Sequence, residues 1–233
     1  MNKEQKDLLL GLSIDHLIQI PASAFPIHKE ALASFLKLRD CAQVNGFDLQ
    51  VISSFRSFDQ QKSIWNKKAS GQKTLLNSKG EEIIFSKLSK EEVLFAILRW
   101  SALPGFSRHH WGTDLDVYDL NSLPGTDYEI QLTPQEVDSG GIFYKLHNWL
   151  DHEIKNQTSF GFYRPYQNDL GGVAPEKWHL SYRPLSENFA GLLDDRVFQD
   201  LLDGEEFRDL LLIDLVKENS DKIFHSYIQN VER

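Results

Sequence analysis

Two short stretches decide the fold of this chain: Ser107-Arg-His-His-Trp-Gly-Thr-Asp-Leu-Asp116 and Glu176-Lys-Trp-His179. The first supplies a histidine and, seven residues later, an aspartate; the second supplies a glutamate three residues before another histidine. A catalytic zinc site has three protein ligands, here two imidazoles and a carboxylate, and leaves its fourth position open for water. A further carboxylate takes a proton from that water. A purely structural zinc site would fill four positions, usually with cysteines, and the chain has a single cysteine.

The first motif lies where a loop enters a strand. Pro104-Gly105 predicts a turn ahead of it, and residues 113–118 alternate as a strand does. His109 in the loop and Asp116 on the strand can therefore turn toward one point. On its own this spacing is common by chance and is more often a loop histidine followed by an unrelated aspartate at a strand end.

A third element precedes both motifs. Ser53-Ser-Phe-Arg-Ser-Phe-Asp-Gln-Gln61 follows a predicted buried strand at 48–53. An arginine at a strand end can point into a cleft, where its guanidinium can hold a carboxylate or an oxyanion. Taken alone, an arginine such as Arg56 is more often a partner in a surface salt bridge.

The rest of the chain predicts helices followed by short strands. We expect helices at about 28–45, 58–68, 90–100 and 140–155, strands at 48–53, 113–118, 160–163 and 178–182, and a loop or flap at 69–90. Residues 186–233 predict two or three further helices. The expected fold is α+β, a small antiparallel sheet flanked by helices with a zinc cleft, plus a C-terminal helical extension. The expected division is a catalytic domain at 1–185, with 186–233 packed on it.

Composition excludes several classes of protein. The 233 residues carry a formal net charge of −9 and show no basic stripe, so a general nucleic-acid binder is not expected. No apolar run approaches the roughly 20 residues of a membrane span. Leu8-Leu-Leu-Gly-Leu12 followed by Ala22-Ser-Ala24 imitates a signal peptide, but Glu4 and Asp7 occupy the place of its positive region. We therefore expect this segment to be structured and the protein to be cytoplasmic, with a periplasmic location as the alternative.

The three elements, taken in order, resemble a known family. Ser-x-x-Arg-Ser, Ser-x-His-x-x-Gly-x-x-x-Asp and Glu-x-Trp-His are similar to the motifs of the zinc D-alanyl-D-alanine carboxypeptidases of the VanY type, which are related to VanX and act on peptidoglycan and its precursors. The resemblance covers roughly residues 25–184. Phe160-Gly161-Phe162 also looks like the family's Tyr-Gly-Phe strand.

The resemblance implies a role for each matching residue. By this resemblance, the metal ligands would be His109, Asp116 and His179. Glu176 would be the general base that deprotonates the attacking water and then protonates the leaving amine, and Arg56 would stabilise the oxyanion. Two further positions, Ser107 and Gln61, match residues that contact the C-terminal residue of the substrate.

One departure from the family bears on the metal site. The family usually has a small residue, often alanine, where this chain has Asp114. Asp114 and Asp116 lie two residues apart, on one face of a strand. Asp114 is therefore an alternative metal ligand or an acceptor for a ligand histidine. His110 also competes as a ligand, although in an extended stretch it would point away from its neighbour His109.

These observations predict a zinc metallopeptidase that hydrolyses the C-terminal D-amino acid of peptidoglycan stem peptides or muropeptides, a D,D-carboxypeptidase. An L,D-carboxypeptidase or a D,D-dipeptidase in murein recycling is the alternative, because the same motifs serve these activities. A non-catalytic module that binds cell-wall peptide is the alternative of another class, and the presence of both Glu176 and Arg56 counts against it. The expected cofactor is Zn²⁺ and the expected partner a peptidoglycan-derived peptide; the oligomeric state is left open.

Overall fold

The computed structural model describes residues 1–125 and 127–232. The helices are α1 Lys3–Leu9, α2 Leu32–Val44, α3 Phe58–Ala69, α4 Lys90–Trp100, α5 Pro134–Val137, α6 Tyr144–Lys155, α7 Arg183–Ala190, α8 Asp195–Leu202, α9 Ile213–Glu218 and α10 Ser220–Ile223. The strands are β1 Leu17–Gln19, β2 Pro26–His28, β3 Leu49–Ser53, β4 Leu75–Leu76, β5 Glu82–Ile83, β6 Asp114–Asp119, β7 Phe162–Tyr163 and β8 His179–Tyr182. None of these helices is long and apolar enough to cross a membrane.

A four-stranded antiparallel sheet forms the centre of the fold, in the order β3-β6-β8-β7. Its register places Asp116 between Ser53 on one neighbouring strand and His179 on the other. Residues directly opposite each other in an antiparallel pair project from the same face. The pairing itself therefore brings one motif beside the other.

The two faces of this sheet differ in chemistry. Leu115 and Leu180 pair across the strands and pack with α2 and α6 in one hydrophobic cluster, which buries that face. Asp114 and Asp116 project from the opposite face, because side chains alternate along a strand. This second face carries the polar centre of the molecule.

A second hydrophobic cluster lies across the polar centre from the first. It joins α1, α3 and α4 to the helices that follow residue 186, with Trp65, Ile97, Phe198 and Phe224 among its buried members. Trp65 Nε1 also donates a hydrogen bond of 2.8 Å to the carbonyl of Leu211. The C-terminal helices thus share a core with α3, the helix that follows Arg56, while the division of the chain at residue 185 stays a prediction.

The predicted elements are largely present, but α5 was not predicted, α2 and α6 begin at Leu32 and Tyr144 rather than at about 28 and 140, and three other segments differ. The segment 69–90, expected as a loop, contains the β4–β5 hairpin and a 3₁₀ turn at Phe85–Lys87. Four α-helices lie between residues 183 and 223 of the described chain, rather than two or three after 186, and a π-helix follows at Phe224–Ile228. The N-terminal segment is structured as expected, but its β1–β2 hairpin was not predicted.

Gly112 explains how the first motif meets this hairpin. Its backbone is left-handed, with φ of 67°, and a Cβ there would lie 2.4 Å from Leu17 Cδ2 and 3.1 Å from the backbone nitrogen of His28. Only glycine accepts both constraints without strain. The His28 amide donates to the Gly112 carbonyl at 2.8 Å, so the hairpin supports the turn that carries His109.

The hairpin contains a buried histidine that should make stability depend on pH. Burial, followed by the charge of nearby His28, lowers the pKa of His16 to about 4. Between pH 4 and 6.5 the unfolded chain binds a proton at His16 and the folded chain does not, so stability falls as pH falls through this window, by at most about 1.4 kcal/mol per pH unit. His16→Gln, followed by urea unfolding at several pH values, should show a shallower fall.

The matched control for that experiment is His152→Gln, because His152 is exposed on α6. Its unfolding free energy should track that of the unmodified chain across the same pH range. A His16→Gln curve parallel to the unmodified one would contradict the prediction.

Candidate metal centre

Three side chains from the two motifs meet on the polar face of the sheet. His109 lies in a 3₁₀ turn at Arg108–Trp111, Asp116 lies on β6, and His179 is the first residue of β8. All three are buried, and one ligand atom from each lies within 4.8 Å of the others. The predicted ligands are therefore brought together.

The ligand atoms face one another across Asp116. His109 Nε2 lies 3.3 Å from Asp116 Oδ2, and His179 Nδ1 lies 3.5 Å from Asp116 Oδ1. The two imidazole rings meet edge to face, with their centroids 4.8 Å apart. Asp116 Oδ1 and His179 Nδ1 are both buried without a hydrogen-bond partner within the described residues.

The outer nitrogen of each histidine is committed to an acceptor. His109 Nδ1 donates to the carbonyl of Ser54 at 2.8 Å, and His179 Nε2 donates to Asp114 Oδ1 at 2.8 Å. Because a neutral imidazole carries one proton, these bonds leave the lone pairs of His109 Nε2 and His179 Nδ1 turned inward. An outer partner of this kind is the usual companion of a metal-binding histidine.

The charges at this point favour a cation. Burial would raise the pKa of Asp116, but the two facing imidazoles outweigh it and lower the pKa to about 2. Burial would lower the pKa of His179, but the hydrogen bond with Asp114 and the neighbouring carboxylates outweigh it and raise the pKa to about 9. A divalent metal ion that displaces the His179 proton would meet two inward ring nitrogens and an ionised carboxylate, so these residues fit a metal ion.

Arg56 is tied by its backbone to the turn that carries His109. Its amide donates to the His109 carbonyl at 3.1 Å. Its guanidinium donates from Nη1 to Gln61 Oε1 at 2.8 Å and from Nη2 to Ser53 Oγ at 3.2 Å. The Arg56 guanidinium is therefore held beside the metal centre by hydrogen bonds of both the main chain and the side chain of this residue.

Glu176 completes the centre on the side of the second motif. Its Oε2 lies 3.4 Å from His179 Nδ1, and its side chain is 15% exposed. Its amide donates to the carbonyl of Tyr166 at 2.9 Å, and its own carbonyl accepts from the amide of His179 at 3.0 Å. The carboxylate thus lies at the edge of the centre, where solvent still reaches it.

Residues 25–185 match the family model of VanY, D-alanyl-D-alanine carboxypeptidase. The chain belongs to the VanY family. An uncharacterized protein of Haemophilus influenzae is 34% identical over 124 residues, which make up 52% of this chain and 89% of that protein. The predicted membership is confirmed.

Solved structures share the fold. VanYB in complex with D-alanine-D-alanine superposes with a TM-score of 0.52 at 21% identity, over 83% of this chain and 91% of that one. The LdcB LD-carboxypeptidase superposes with a TM-score of 0.52 at 21% identity, over 80% of this chain and 84% of that one. The expected α+β fold with a small antiparallel sheet is thereby confirmed.

Two positions matched to VanY-family substrate contacts differ in their surroundings. Gln61 is fully buried, its oxygen accepts from Arg56, and its Nε2 donates to the Ala102 carbonyl at 2.7 Å. Ser107 is 2% exposed, and no hydrogen bond within the described residues engages its hydroxyl. The structure therefore leaves the Ser107 hydroxyl available to a ligand, while both ends of the Gln61 amide are in use.

The two competing ligands are engaged elsewhere. His110 Nε2 accepts from the Gly105 amide at 2.9 Å, and His110 Nδ1 donates to the Arg56 carbonyl at 2.6 Å. Burial lowers the pKa of His110 to about 3, so the ring is neutral. Asp114 is fully buried and accepts four hydrogen bonds, one of them from His179 Nε2.

Three residues near the centre were not predicted. Tyr166 packs its ring edge-on against His179 at 5.1 Å, and Arg108 pairs with Asp114 at 2.9 Å. Lys68 donates to Ser101 Oγ at 2.7 Å; burial lowers its pKa to about 8, and the Glu176 carboxylate opposes that shift. The available signal for Arg108 was its position inside the first motif. Lys68 ends the helix predicted at 58–68 and Tyr166 follows the strand predicted at 160–163, but neither position indicates that its side chain lies near the centre.

Proposed function

We propose that this chain is a zinc-dependent carboxypeptidase that removes the C-terminal D-amino acid from peptidoglycan stem peptides or muropeptides. One observation carries the proposal: the inward-facing atoms of two histidines and an aspartate lie beside a partly exposed carboxylate, Glu176, and a tethered cation, Arg56. A binding module that had lost catalysis would have no need of both the carboxylate and the cation.

His109 Nε2, His179 Nδ1 and the carboxylate of Asp116 would hold the metal. When bound there, zinc supplies a Lewis acid that lowers the pKa of a water to about 7 and polarises a carbonyl. The surrounding chain largely excludes solvent from this point, because the three residues are at most 6% exposed. Low solvent exposure strengthens each charge interaction made there.

Glu176 moves the proton. Its carboxylate accepts a proton from water as the water oxygen bonds to the scissile carbonyl carbon, and then gives that proton to the departing amide nitrogen as the C–N bond breaks. Arg56 places fixed positive charge beside the carbonyl oxygen, which carries the negative charge between these two steps. Ser107 would donate a hydrogen bond to the terminal carboxylate of the substrate.

We expect Gln61 to position Arg56 through their hydrogen bond rather than to contact the substrate. Replacing Gln61 with alanine removes the acceptor of Arg56 Nη1, and a hydrogen bond to a charged group contributes about 1.5–3 kcal/mol. We expect kcat to fall about tenfold or more while KM changes little. Steady-state kinetics on a released-alanine assay checks this, with Gln72→Ala in an exposed loop as the control. A raised KM at unchanged kcat would instead assign Gln61 to the substrate carboxylate.

The test of the proposed function is mass spectrometry of digests. The zinc-loaded protein is incubated separately with a muropeptide pentapeptide, a tetrapeptide and free D-alanyl-D-alanine, and its metal content is measured. Loss of one alanine from the pentapeptide supports the D,D-carboxypeptidase. Product only from the tetrapeptide, or only from the dipeptide, replaces it with the L,D-carboxypeptidase or the dipeptidase. One bound zinc per chain without product from any substrate overturns the proposal in favour of the binding module.

A further inference from the structure

We propose that Asp114, held by Arg108, is a positioning residue that fixes the His179 ring with Nδ1 turned to the metal and thereby strengthens zinc binding. The inference rests on the proposed function, since it takes His179 as a zinc ligand. The VanY-type pattern usually has a small residue at position 114, so this carboxylate is a departure of this chain from that pattern.

Asp114 is saturated by donors on both oxygens. Oδ1 accepts from Arg108 Nε at 2.9 Å and from His179 Nε2 at 2.8 Å. Oδ2 accepts from Thr113 Oγ1 at 2.6 Å and from Ser181 Oγ at 3.0 Å. A fully buried carboxylate with four donors has one stable orientation, so the acceptor offered to His179 is fixed in space.

Arg108 locks this arrangement from the far side. Its side chain is 6% exposed, and its Nη2 donates to Ser181 Oγ at 2.6 Å and to the Tyr163 hydroxyl at 3.0 Å. Its guanidinium also lies 4.9 Å from the ring centroid of Trp111. The arginine thus keeps a negative charge buried directly behind a metal-binding histidine.

The consequence for His179 follows from ring geometry. A half-turn of the ring would place a carbon rather than Nε2 against Asp114, and the other tautomer would place a lone pair there. Either change removes one of the four donors of a buried carboxylate, and a hydrogen bond to a charged group contributes about 1.5–3 kcal/mol. Tyr166 packs edge-on against the same ring at 5.1 Å with an interplanar angle of 83°. With alanine at 114 neither the flipped ring nor the other tautomer carries that penalty.

Asp114→Ala is the direct test, with zinc affinity measured by competition against a chromogenic chelator. Loss of the outer partner of a metal-binding histidine typically weakens metal affinity 10–100-fold, and we expect a change of that size. Asp114→Asn, which keeps an oxygen of the same shape as acceptor, should recover part of the affinity. Activity need not be measured for this comparison.

Asp151→Ala is the matched control. Asp151 pairs with the buried Arg164 at 2.8 Å, so its removal also strips a buried guanidinium of its carboxylate, but away from His179. It should lower the thermal midpoint as Asp114→Ala does and leave zinc affinity unchanged. If Asp114→Ala does not fold, Arg108→Met combined with Asp114→Ala removes both charges together and takes its place.

The outcomes separate this inference from the proposed function. Weakened zinc binding in Asp114→Ala alone, with partial recovery in Asp114→Asn, supports it. Equal affinity in Asp114→Ala and the unmodified chain overturns the inference and leaves the proposed function standing. An unmodified chain that binds no zinc overturns both.

Discussion

Glu176→Gln should lower turnover by about 10²–10⁴-fold while the protein still binds zinc and folds normally. The amide keeps the size and one oxygen of the carboxylate but cannot accept the proton of the attacking water. Glu176 Oε2 lies 3.4 Å from His179 Nδ1, beside the metal centre rather than within the group of three ligand atoms. Rates from the muropeptide digest, measured with zinc content and thermal midpoint on the same preparation, check the prediction.

Glu187→Gln is the control for that variant. Glu187 is exposed on α7, where it pairs with Arg183, so the same chemical change there should leave turnover unaltered. If Glu176→Gln turned over substrate as fast as the control, Glu176 would not be the group that transfers the proton. Loss of zinc along with turnover would make the carboxylate a metal ligand instead.

His109→Ala should abolish both zinc binding at micromolar metal and measurable turnover. Removing one of three ligands leaves two, and the alanine also leaves the buried carbonyl of Ser54 without its donor, which costs about 1–3 kcal/mol. Chelation of the unmodified protein should reproduce the loss of turnover, and added zinc should restore it. Metal analysis after gel filtration, run beside the digest, checks both parts.

The control here is His152→Ala, because His152 is an exposed histidine on α6 whose ring contacts Asn156. It should retain one zinc per chain and unmodified rates. The two variants should differ in metal content: Glu176→Gln keeps zinc and loses turnover, whereas His109→Ala loses both. Turnover retained by His109→Ala would contradict the assignment of this histidine to the metal.

Local patterns predicted the elements whose signals lie within a few residues. The predicted helix at 90–100 follows Ser89, with Glu92 three residues later, and the structure shows both hydrogen bonds of this capping box, at 3.2 and 2.8 Å. The β4–β5 hairpin was missed because each strand has only two residues, too few to show an alternation. The number of C-terminal helices was underestimated because α9 and α10 have only six and four residues, too few to show a helical period.

The sequence by itself determined the family and the inventory of the site, because His109, Asp116, Glu176 and His179 stand at spacings that can be read along the chain. Only the tertiary structure shows which groups Gln61, His110 and Asp114 contact. Their partners, among them Ala102 for Gln61 and Ser181 for Asp114, lie 41 and 67 residues away. What a side chain can do depends on the hydrogen-bond donors and acceptors that folding places around it. Strand pairing and helix packing bring in these groups from distant parts of the chain, so a local sequence pattern cannot predict them.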